Sequence, residues 1–385
     1  MSHYLDFAAT SAIRPPAVAA SMARFLAECG ATPGRGGHDR ALEAGRLAFR
    51  CRRAVQQLLG LPGDPGRVTF FANATAALNT ALWGTLEPGD VLVVTAFDHN
   101  AVLRPAAYLG ESRGVDVRTL PGTPDGGIDL AQAERLLAGA RMLSVNAASN
   151  VLGHRLPVRE LAVRARAAGA LVLLDTAQAA GHVPMQCADD GVDLVAFTGH
   201  KGMLGPQGTG GLWVREGVDV TPLLRGGTGG DSRRRDMPRS MPDRLEAGSL
   251  HSPGLAGLEA GIEFVLARGV DAIHRHESDL KRRLWSGLAS VPGVNVLSPS
   301  APDGVGIVTL VVPGVDPGAL ARRLEQEWGV QGRAGLHCAP ECHRVLGSLE
   351  SGALRLSVGW ATTEEDVNRA LEGLEALAAS SGHGR

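Results

Sequence analysis

Hydrophobic residues in this chain form short runs that alternate with segments of helical periodicity. The strand-like runs are RVTFF (67–71), DVLVVTA (90–96), DVRTL (116–120), RMLSVNA (141–147), ALVLLD (170–175), DLVAFTG (193–199) and GTGGLWV (208–214). Helical patterns separate several of them, among them 75–84 and 158–168. Short apolar strands that alternate with helices indicate βαβ units and a largely parallel sheet covered on both faces. The pattern predicts a large α/β domain of three layers.

The pattern of hydrophobic and polar residues changes after about residue 250. Two long helical patterns come first, at about 253–267 and 271–290. Strand-like runs then mix with a helix at 316–328 and with a final helix that starts near residue 363. This mixture predicts a smaller C-terminal α+β domain.

These changes predict two domains, in keeping with a length of 385 residues. The large domain is expected over 15–250 and the small domain over 251–385, with residues 1–14 packing near the small domain. Between them, 225–244 is rich in Gly and Arg and has no periodicity, so it is predicted to be a long loop. Whether this loop is ordered stays open at this point.

Composition narrows the class of protein. The net charge of −2 gives no sign of a nucleic-acid-binding surface, and no apolar run approaches the ~20 residues of a membrane span. The N-terminus MSHYLDFAAT has no basic region followed by an apolar one, so export is not expected. Five scattered cysteines indicate free thiols in a cytoplasmic protein rather than a disulfide framework.

Lysine is scarce in this chain. Lys201 and Lys281 are the only lysines among 38 basic residues, and the other 36 are arginines. Because a guanidinium stays protonated and is a poor nucleophile, a lysine retained here is expected to be needed as an amine. Lys281 lies in an amphipathic pattern, HESDLKRRLWSGL, and is predicted to lie on a solvated helix face. Lys201 follows the end of a strand, where open α/β sheets collect ligands.

Lys201 has an acidic counterpart upstream. Asp175 ends the apolar strand ALVLLD, with Gln178 three residues later. Such an Asp can simply cap the next helix. It can also hold the protonated nitrogen of pyridoxal 5'-phosphate (PLP), a cofactor that needs a lysine for its Schiff base and an acid for its ring nitrogen.

Two further segments suit such a cofactor. FFANATAALNTAL combines a strand, a turn of small residues and a helix near Thr75, where backbone N–H groups favour an anion. His99 follows another strand in FDHNAVLRP. A lone histidine is more often structural, but beside a PLP ring it can stack on the face and assist proton transfer.

The chain resembles the class V aminotransferase-like PLP enzymes of fold type I, and among them the cysteine desulfurases and selenocysteine lyases. The motifs that carry this resemblance occur in order over nearly the whole chain: YLDFAAT, ANATAALN, FDHNAVLRP, ASNVLGH, LLDTAQAAGH, FTGHKGMLGPQGTGGL, PDRLEAGS, RAGLHCAP and LRLSVGWATTEEDV. The resemblance implies a large domain with a mostly parallel sheet and a smaller α+β domain, as the pattern of hydrophobic residues does.

The resemblance implies roles for particular residues. Lys201 would form the Schiff base, and Asp175, Gln178 and His99 would contact the cofactor ring. The residues expected at the phosphate are Ala74, Thr75, Thr198, His200 and, reaching the partner subunit's site, Ser249. Asn150 and Arg355 would hold the substrate carboxylate, Arg through bidentate geometry. A site shared in this way implies a homodimer.

Cys338, in RAGLHCAP, matches the catalytic cysteine of these enzymes. The implied reaction converts L-cysteine to L-alanine and leaves a persulfide on Cys338, from which a docking protein or a small thiol accepts the sulfur. Its short loop is similar to that of group II enzymes. The attacking sulfur must be a thiolate, and the candidates that would favour it are His337, Arg333 and the proton chemistry of the substrate's own sulfur, which the sequence does not rank.

The sequence also departs from the family pattern. Ser249, Leu250 and His251 stand where GTPN is typical, and His251 is expected near the entrance of the site, where it would alter substrate choice. Cys342, close to the expected nucleophile, is either a packing residue or a second thiol that relays sulfur.

Other readings stay open. The same scaffold supports C–S lyases, epimerases and aminotransferases, which need no thiol, and L-selenocysteine is an alternative substrate. A non-catalytic scaffold, or a metal site made of His337, Cys338, Cys342 and His343, is a further alternative. The spacing of these four residues does not match common zinc sites, so no metal is expected.

Overall fold

The computed structural model describes residues 2–34, 36–123, 125–229, 233, 235–300 and 304–381. Its helices are α1 (Pro16–Arg24), α2 (Asp39–Leu59), α3 (Ala74–Thr85), α4 (Asn100–Arg113), α5 (Leu130–Leu137), α6 (Val158–Ala167), α7 (Ser252–Arg268), α8 (Val270–Ala289), α9 (Pro317–Trp328), α10 (Pro340–Val345) and α11 (Glu364–Ser381).

The strands are β1 (His3–Tyr4), β2 (Val68–Phe71), β3 (Val91–Thr95), β4 (Asp116–Leu120), β5 (Met142–Asn146), β6 (Leu171–Asp175), β7 (Leu194–Thr198), β8 (Gly210–Val214), β9 (Asn295–Val296), β10 (Ile307–Val311), β11 (Val330–Gln331), β12 (Arg333–Gly335) and β13 (Ala353–Ser357). Each strand-like run of the large domain predicted from the sequence contains one of them. The described part of the predicted loop 225–244 contains no helix or strand, and residues 230–232 and 234 of it lie outside the described residues.

The large sheet has seven strands in the order β2-β8-β7-β6-β5-β3-β4. Its neighbours pair in parallel from β4 through to β7, and β8 is antiparallel to both β7 and β2. The predicted mostly parallel sheet is therefore confirmed. Because consecutive parallel strands need crossover connections, helices cover both faces, and the carboxyl ends of β3, β5, β6 and β7 meet at one edge.

Two apolar layers hold this sheet. One layer joins α3 and α4 to the sheet through buried residues such as Leu78, Leu82 and Leu109. The other contains α2, α6 and α7, with Val55, Leu161 and other buried residues packed against strand residues of the opposite face. Strands buried on both faces explain the nearly continuous apolar runs in the sequence.

The smaller sheet is antiparallel, in the order β12-β13-β10-β9. Helices α8, α9 and α11 pack with it around a separate apolar core. The N-terminal strand β1 pairs with β11 in parallel, and Asp6 forms a bridge with Ser357 at the end of β13. The start of the chain is thereby placed beside the smaller sheet. Helix α7, which follows the predicted division at residue 250, contributes Leu258 and Ile262 to the core of the large sheet.

The prediction for Lys281 was wrong. Its side chain is buried, with 3% exposure, rather than on a solvated helix face. The buried stripe of α8 includes Glu277, Lys281 and Leu284, which recur at helical spacing. On this stripe Glu277 pairs with His182 of the large domain at 2.9 Å. This pairing explains why Glu277 occupies a buried position on the helix.

In the part of the chain that the structure describes, no helix combines the length and the apolar character needed to cross a membrane.

Candidate active site

A cavity of about 210 Å³ lies at the carboxyl edge of the large sheet, against the smaller domain. Of the residues that the sequence suggested for the site, all except Ser249 line it: Ala74, Thr75, His99, Asn150, Asp175, Gln178, Thr198, His200, Lys201, Arg333, His337, Cys338 and Arg355. Residues up to 281 positions apart in the sequence are therefore brought into one cavity, and their individual roles are considered below.

Lys201 lies just beyond the end of β7, in a turn held by backbone hydrogen bonds such as Leu204 N to Lys201 O (2.9 Å). Burial lowers the pKa of its amine from 10.5 to about 8, with Asp175 opposing this shift and Arg355 adding to it. Desolvation disfavours the charged form of an amine. A substantial neutral fraction near neutral pH makes this side chain a capable nucleophile and base.

Asp175 ends β6 and is buried at the floor of the cavity, where its Oδ1 accepts a hydrogen bond from Ala177 N (2.8 Å). Burial raises the pKa of its carboxyl, while that N–H group and Lys201 lower it. A carboxylate that is buried beside a cavity without a hydrogen-bonded cation is suited to hold a cationic ring nitrogen. Gln178, one turn later, donates from Nε2 to Ala8 O (3.0 Å) and so ties the N-terminal segment to the site.

The N-terminus of α3 faces the same cavity. Asn73 caps the helix, with its Oδ1 accepting from Ala76 N (2.9 Å). The first-turn N–H groups of Ala74 and Thr75 have no partner within the helix, so they are available to an anion. Opposite them, burial lowers the pKa of His200 to about 4. Its Nδ1 lies 3.0 Å from Thr10 Oγ1, which ties the neutral ring to the N-terminal segment.

His99 caps α4, and its Nδ1 accepts from Ala101 N at 3.0 Å. Burial, followed by the charge of Lys201, lowers the pKa of the ring to about 4. The ring is therefore neutral, with its proton on Nε2 and its plane fixed by the cap. The arrangement gives a flat, uncharged group on one side of the cavity.

Arg355, on β13, has one edge already engaged. Its Nη1 donates to Asn150 O (2.9 Å), and its Nη2 donates to Asp6 Oδ1 (3.0 Å). Its Nε and the Oδ1 of Asn150 are buried without a hydrogen-bond partner among the described residues. A buried polar atom left unpaired costs about 1–3 kcal/mol, so these two atoms mark a place prepared for a polar ligand.

Cys338 is the one exposed cysteine of the chain, since Cys29, Cys51, Cys187 and Cys342 are buried, and all five are free. It follows β12 in a turn where His337 and Cys338 have φ of 51° and 57°. Its carbonyl accepts from Asn100 N (2.7 Å), at the start of α4. Lys201, Arg333 and Arg355 line the same cavity, so a thiolate at Cys338 has cationic surroundings.

The other members of the His–Cys cluster have different environments. Cys342 is fully buried in α10, and burial raises the pKa of its thiol to about 12, which favours the packing role over the relay role. His343 is also fully buried and hydrogen-bonds to His337 rather than to the cavity. No group of three or more metal-ligating side chains occurs among the described residues, so these four residues do not form a ligand set there.

Ser249 lies outside the active-site cavity. It lines a different cavity, of about 780 Å³, together with Phe49, Arg52 and Glu246, and that cavity contains no lysine. His251 is likewise absent from the lining of the active-site cavity; its ring lies beside Gly208 and Gly254, at the start of α7. The expectation that His251 lies near the entrance of the site is not tested by a single chain and stays a prediction.

Sequence reasoning missed several residues of the site. Asn73 was detectable, since Asn before a helix is a common cap. Asn146 ends β5 and donates from Nδ2 to Phe97 O and Ala148 O, which fixes the loops on either side of it. Asp6 had no signal in the sequence, because its partner Arg355 is 349 residues away.

The chain is similar to known proteins over nearly its whole length. The model of the aminotransferase class V family matches residues 3–370. A probable cysteine desulfurase of Methanothermobacter thermautotrophicus is 32% identical over 97% of this chain and 94% of its own. A cysteine desulfurase of Pectobacterium atrosepticum is 33% identical over 97% of this chain and 92% of its own.

The chain is also similar to solved structures of cysteine desulfurases. The apo structure of a cysteine desulfurase from Thermococcus onnurineus superposes with a TM-score of 0.91 at 30% identity, covering 98% of this chain and 95% of that one. A cysteine desulfurase of Escherichia coli superposes with a TM-score of 0.87 at 26% identity, covering 99% and 95%. The described fold is thus shared along essentially the whole length of these chains.

Proposed function

Since this chain belongs to the aminotransferase class V family, we propose that it is a cysteine desulfurase, which converts L-cysteine to L-alanine and collects the sulfur as a persulfide on Cys338. The observation that carries the proposal is the presence, in one cavity, of a buried lysine with a lowered pKa and an exposed cysteine. The lysine serves carbanion chemistry, and the thiol distinguishes sulfur transfer from the family's other reactions.

The cavity fits PLP as cofactor. Lys201 would hold its aldehyde covalently, and Asp175 would pair with the ring nitrogen. Gln178 and His99 would lie against the ring. The N–H groups of Ala74 and Thr75, with Thr198 and His200, would hold the phosphate at the N-terminus of α3. The fit rests on the buried carboxylate of Asp175 and on the unpaired first turn of α3.

When bound, PLP supplies an electron sink that makes the Cα hydrogen of an attached amino acid acidic. Lys201 Nζ then takes this proton, since its pKa of about 8 leaves part of the amine neutral near neutral pH. The neutral ring of His99 adds no charge beside the reacting atoms. Lys201 would therefore transfer the proton, and His99 would orient the cofactor ring.

Arg355 and Asn150 would hold the carboxylate of L-cysteine, Asn150 through the hydrogen of Nδ2 that is not donated to His337 O. The Nη1 and Nη2 atoms of Arg355 are anchored by Asn150 O and Asp6 Oδ1, and Nε together with the second hydrogen of each Nη atom remains as a donor. Anchoring fixes the plane of the guanidinium before substrate arrives, which reduces the entropy lost on binding. Arg333, exposed beside the cavity, adds positive charge near the entrance.

The atoms and electrons of the sulfur-transfer step balance between L-cysteine and the Cys338 thiolate. The Cys338 thiolate attacks the sulfur of L-cysteine, so that an S–S bond forms and the substrate's Cβ–S bond breaks. The electron pair of the broken bond goes to Cβ, which takes up a proton and becomes the methyl group of L-alanine. No external oxidant or reductant is consumed, because Cβ is reduced as the transferred sulfur is oxidised.

The proposal extends to the partners of this chain. The position of Ser249 outside its own chain's cavity is consistent with a homodimer, in which Ser249 reaches the partner subunit's phosphate site. Exposed Leu42 and Phe49 on α2 supply apolar surface for such contact. Because Cys338 is exposed, a docking protein or a small thiol can accept the sulfur. Five free cysteines support a reducing, cytoplasmic location.

Product analysis tests the proposal. PLP-loaded protein incubated with L-cysteine and a reducing thiol is expected to release L-alanine and sulfide in equal amounts. Cys338→Ala should abolish both products, and Cys29→Ala, which removes a buried thiol far from the site, should leave both unchanged. Full sulfide release by Cys338→Ala, accompanied by pyruvate and ammonia, would instead identify a C–S lyase and refute the persulfide route.

A further inference from the structure

Behind the Cys338 turn, three polar side chains form a continuous hydrogen-bonded chain that no step of the reaction uses. His337 Nε2 lies 3.1 Å from Arg333 O, and His337 Nδ1 lies 3.2 Å from His343 Nε2. His343 Nδ1 in turn lies 2.8 Å from Ser348 Oγ. The two rings are stacked with centroids 5.4 Å apart, and His343 is completely buried.

The direction of every hydrogen bond in this chain is determined. Burial lowers the pKa of His337 to about 3 and that of His343 to about 4, so both rings are neutral. The carbonyl of Arg333 only accepts, so His337 carries its proton on Nε2 and accepts at Nδ1. His343 must then donate from Nε2 and accept at Nδ1 from the Ser348 hydroxyl. Each ring nitrogen is occupied, which leaves His337 unable to act as the base for Cys338.

The chain of hydrogen bonds supports a strained turn. His337 and Cys338 both adopt left-handed backbone conformations, which are unfavourable for residues other than glycine. Their carbonyls are held by Asn150 Nδ2 (2.6 Å) and Asn100 N (2.7 Å). Such conformations persist only where the surroundings determine them, and the ring of His343 is the buried support beneath the His337 side chain.

We propose that His343 is a positioning residue for sulfur transfer: through His337 and Ser348 it holds the left-handed turn that presents the Cys338 thiol to the cavity. This inference rests on the proposed desulfurase function. The spacing of six residues between the two histidines follows from the fold, because Pro340 starts α10 immediately after the turn and the helix returns His343 beneath His337. Asn150 links the same turn to Arg355, so the residues that would hold the carboxylate and the thiol share one scaffold.

Two half-reactions of the PLP-loaded protein distinguish a positioning role of His343 from a general loss of stability. Exchange of the Cα hydrogen of L-alanine in D2O, followed by NMR, needs Lys201 but not Cys338. Persulfide formation from L-cysteine in a single turnover, followed by quenching and mass spectrometry, needs both. His343→Leu removes the donor to His337 and should slow persulfide formation about 10- to 100-fold, the cost of a misplacement of about 1 Å, with exchange changed less than about 2-fold.

Further variants sharpen the comparison. His343→Gln keeps an N–H donor within reach of His337 Nδ1 and should form persulfide at least about 5-fold faster than His343→Leu. Ser348→Ala keeps the ring of His343 and removes only the hydroxyl that donates to its Nδ1. Persulfide formation by this variant should be slowed, but less than in His343→Leu. Ser348→Ala therefore tests the proposal even if His343→Leu fails to fold. Arg344→Gln, on the next residue, changes an exposed pair with Glu341 and should affect neither half-reaction.

The outcomes are distinguishable. Equal slowing of both half-reactions, or normal persulfide formation by folded His343→Leu or Ser348→Ala, would overturn the positioning role alone. Absence of persulfide in the unchanged chain, with Cα exchange intact, would refute the proposed desulfurase function and this inference with it. Selective loss in His343→Leu, partial recovery in His343→Gln and an unaffected Arg344→Gln would support it.

Discussion

A buried ion pair fixes the segment that leads to Ser249. Arg52 on α2 donates from Nη1 to Glu246 Oε1 (2.6 Å) and from Nη2 to Oε2 (2.8 Å), and both side chains are only 6% exposed. Arg52 also donates to Val68 O, and Glu246 accepts from Phe70 N (2.6 Å), so the pair ties two backbone groups of β2 to it. The segment Glu246–Ser249 is thereby anchored to the large sheet.

Removing one partner of the Arg52–Glu246 ion pair should lower the free energy of unfolding. Arg52→Met leaves the Glu246 carboxylate buried with only a backbone N–H donor, and Glu246→Met leaves a buried guanidinium. Breaking a buried pair from one side costs about 3–5 kcal/mol, because the remaining charge stays desolvated. Replacing both partners by Met removes both charges, so the double variant should lose at least about 2 kcal/mol less than the two single losses added together.

Urea-induced unfolding of the cofactor-free protein, followed by circular dichroism, gives the four free energies of this cycle. Arg46→Met is the matched control: the same helix carries Arg46, which is 67% exposed and pairs with Glu43 at 3.6 Å, so its loss should cost less than about 1 kcal/mol. A cost for Arg52→Met no greater than that of Arg46→Met, or strictly additive losses in the double variant, would refute the reasoning.

Three further predictions concern the cavity. Capture of PLP by the cofactor-free protein should accelerate with pH and level off above a midpoint of about 8, because only the neutral Lys201 amine reacts; stopped-flow absorbance showing a midpoint near 10.5 would contradict this. Lys201→Arg should abolish the formation of L-alanine, as measured by amino-acid analysis. Lys281→Arg keeps the positive charge at that position and should still form L-alanine. An equal loss of L-alanine in both variants would contradict the distinction between the two lysines. Arg355→Lys should raise the KM for L-cysteine about 10- to 100-fold, since a charged hydrogen bond contributes about 1.5–3 kcal/mol, and an unchanged KM in steady-state assays would exclude Arg355 from carboxylate binding.

The large sheet and the cavity at its edge could be predicted because local signals specify them. Strands buried on both faces produce unbroken apolar runs, and residues placed just after β6 and β7 must converge at one edge of a parallel sheet. The scarcity of lysine then singled out Lys201. The amphipathic pattern placed Lys281 on a solvated face, and this was wrong because the burial of Lys281 depends on how α8 packs between the two domains.

Other features depend on contacts that no local pattern encodes. Asp6 meets Arg355 only because β1 joins the smaller sheet at the opposite end of the chain. The link between His343 and the Cys338 turn arises only because α10 stacks the ring of His343 on that of His337. The position of Ser249 follows from the anchoring of its segment to α2 and β2, which the family pattern does not specify.

The sulfur carried by Cys338 is the most direct test of the account. PLP-loaded protein given one equivalent of L-cysteine, without a reducing thiol, should gain the mass of one sulfur atom. Alkylation and peptide mapping should place that atom on Cys338, with none on buried Cys29, Cys51, Cys187 or Cys342. An unmodified Cys338 after L-alanine has formed, or sulfur carried on another cysteine, would contradict the account.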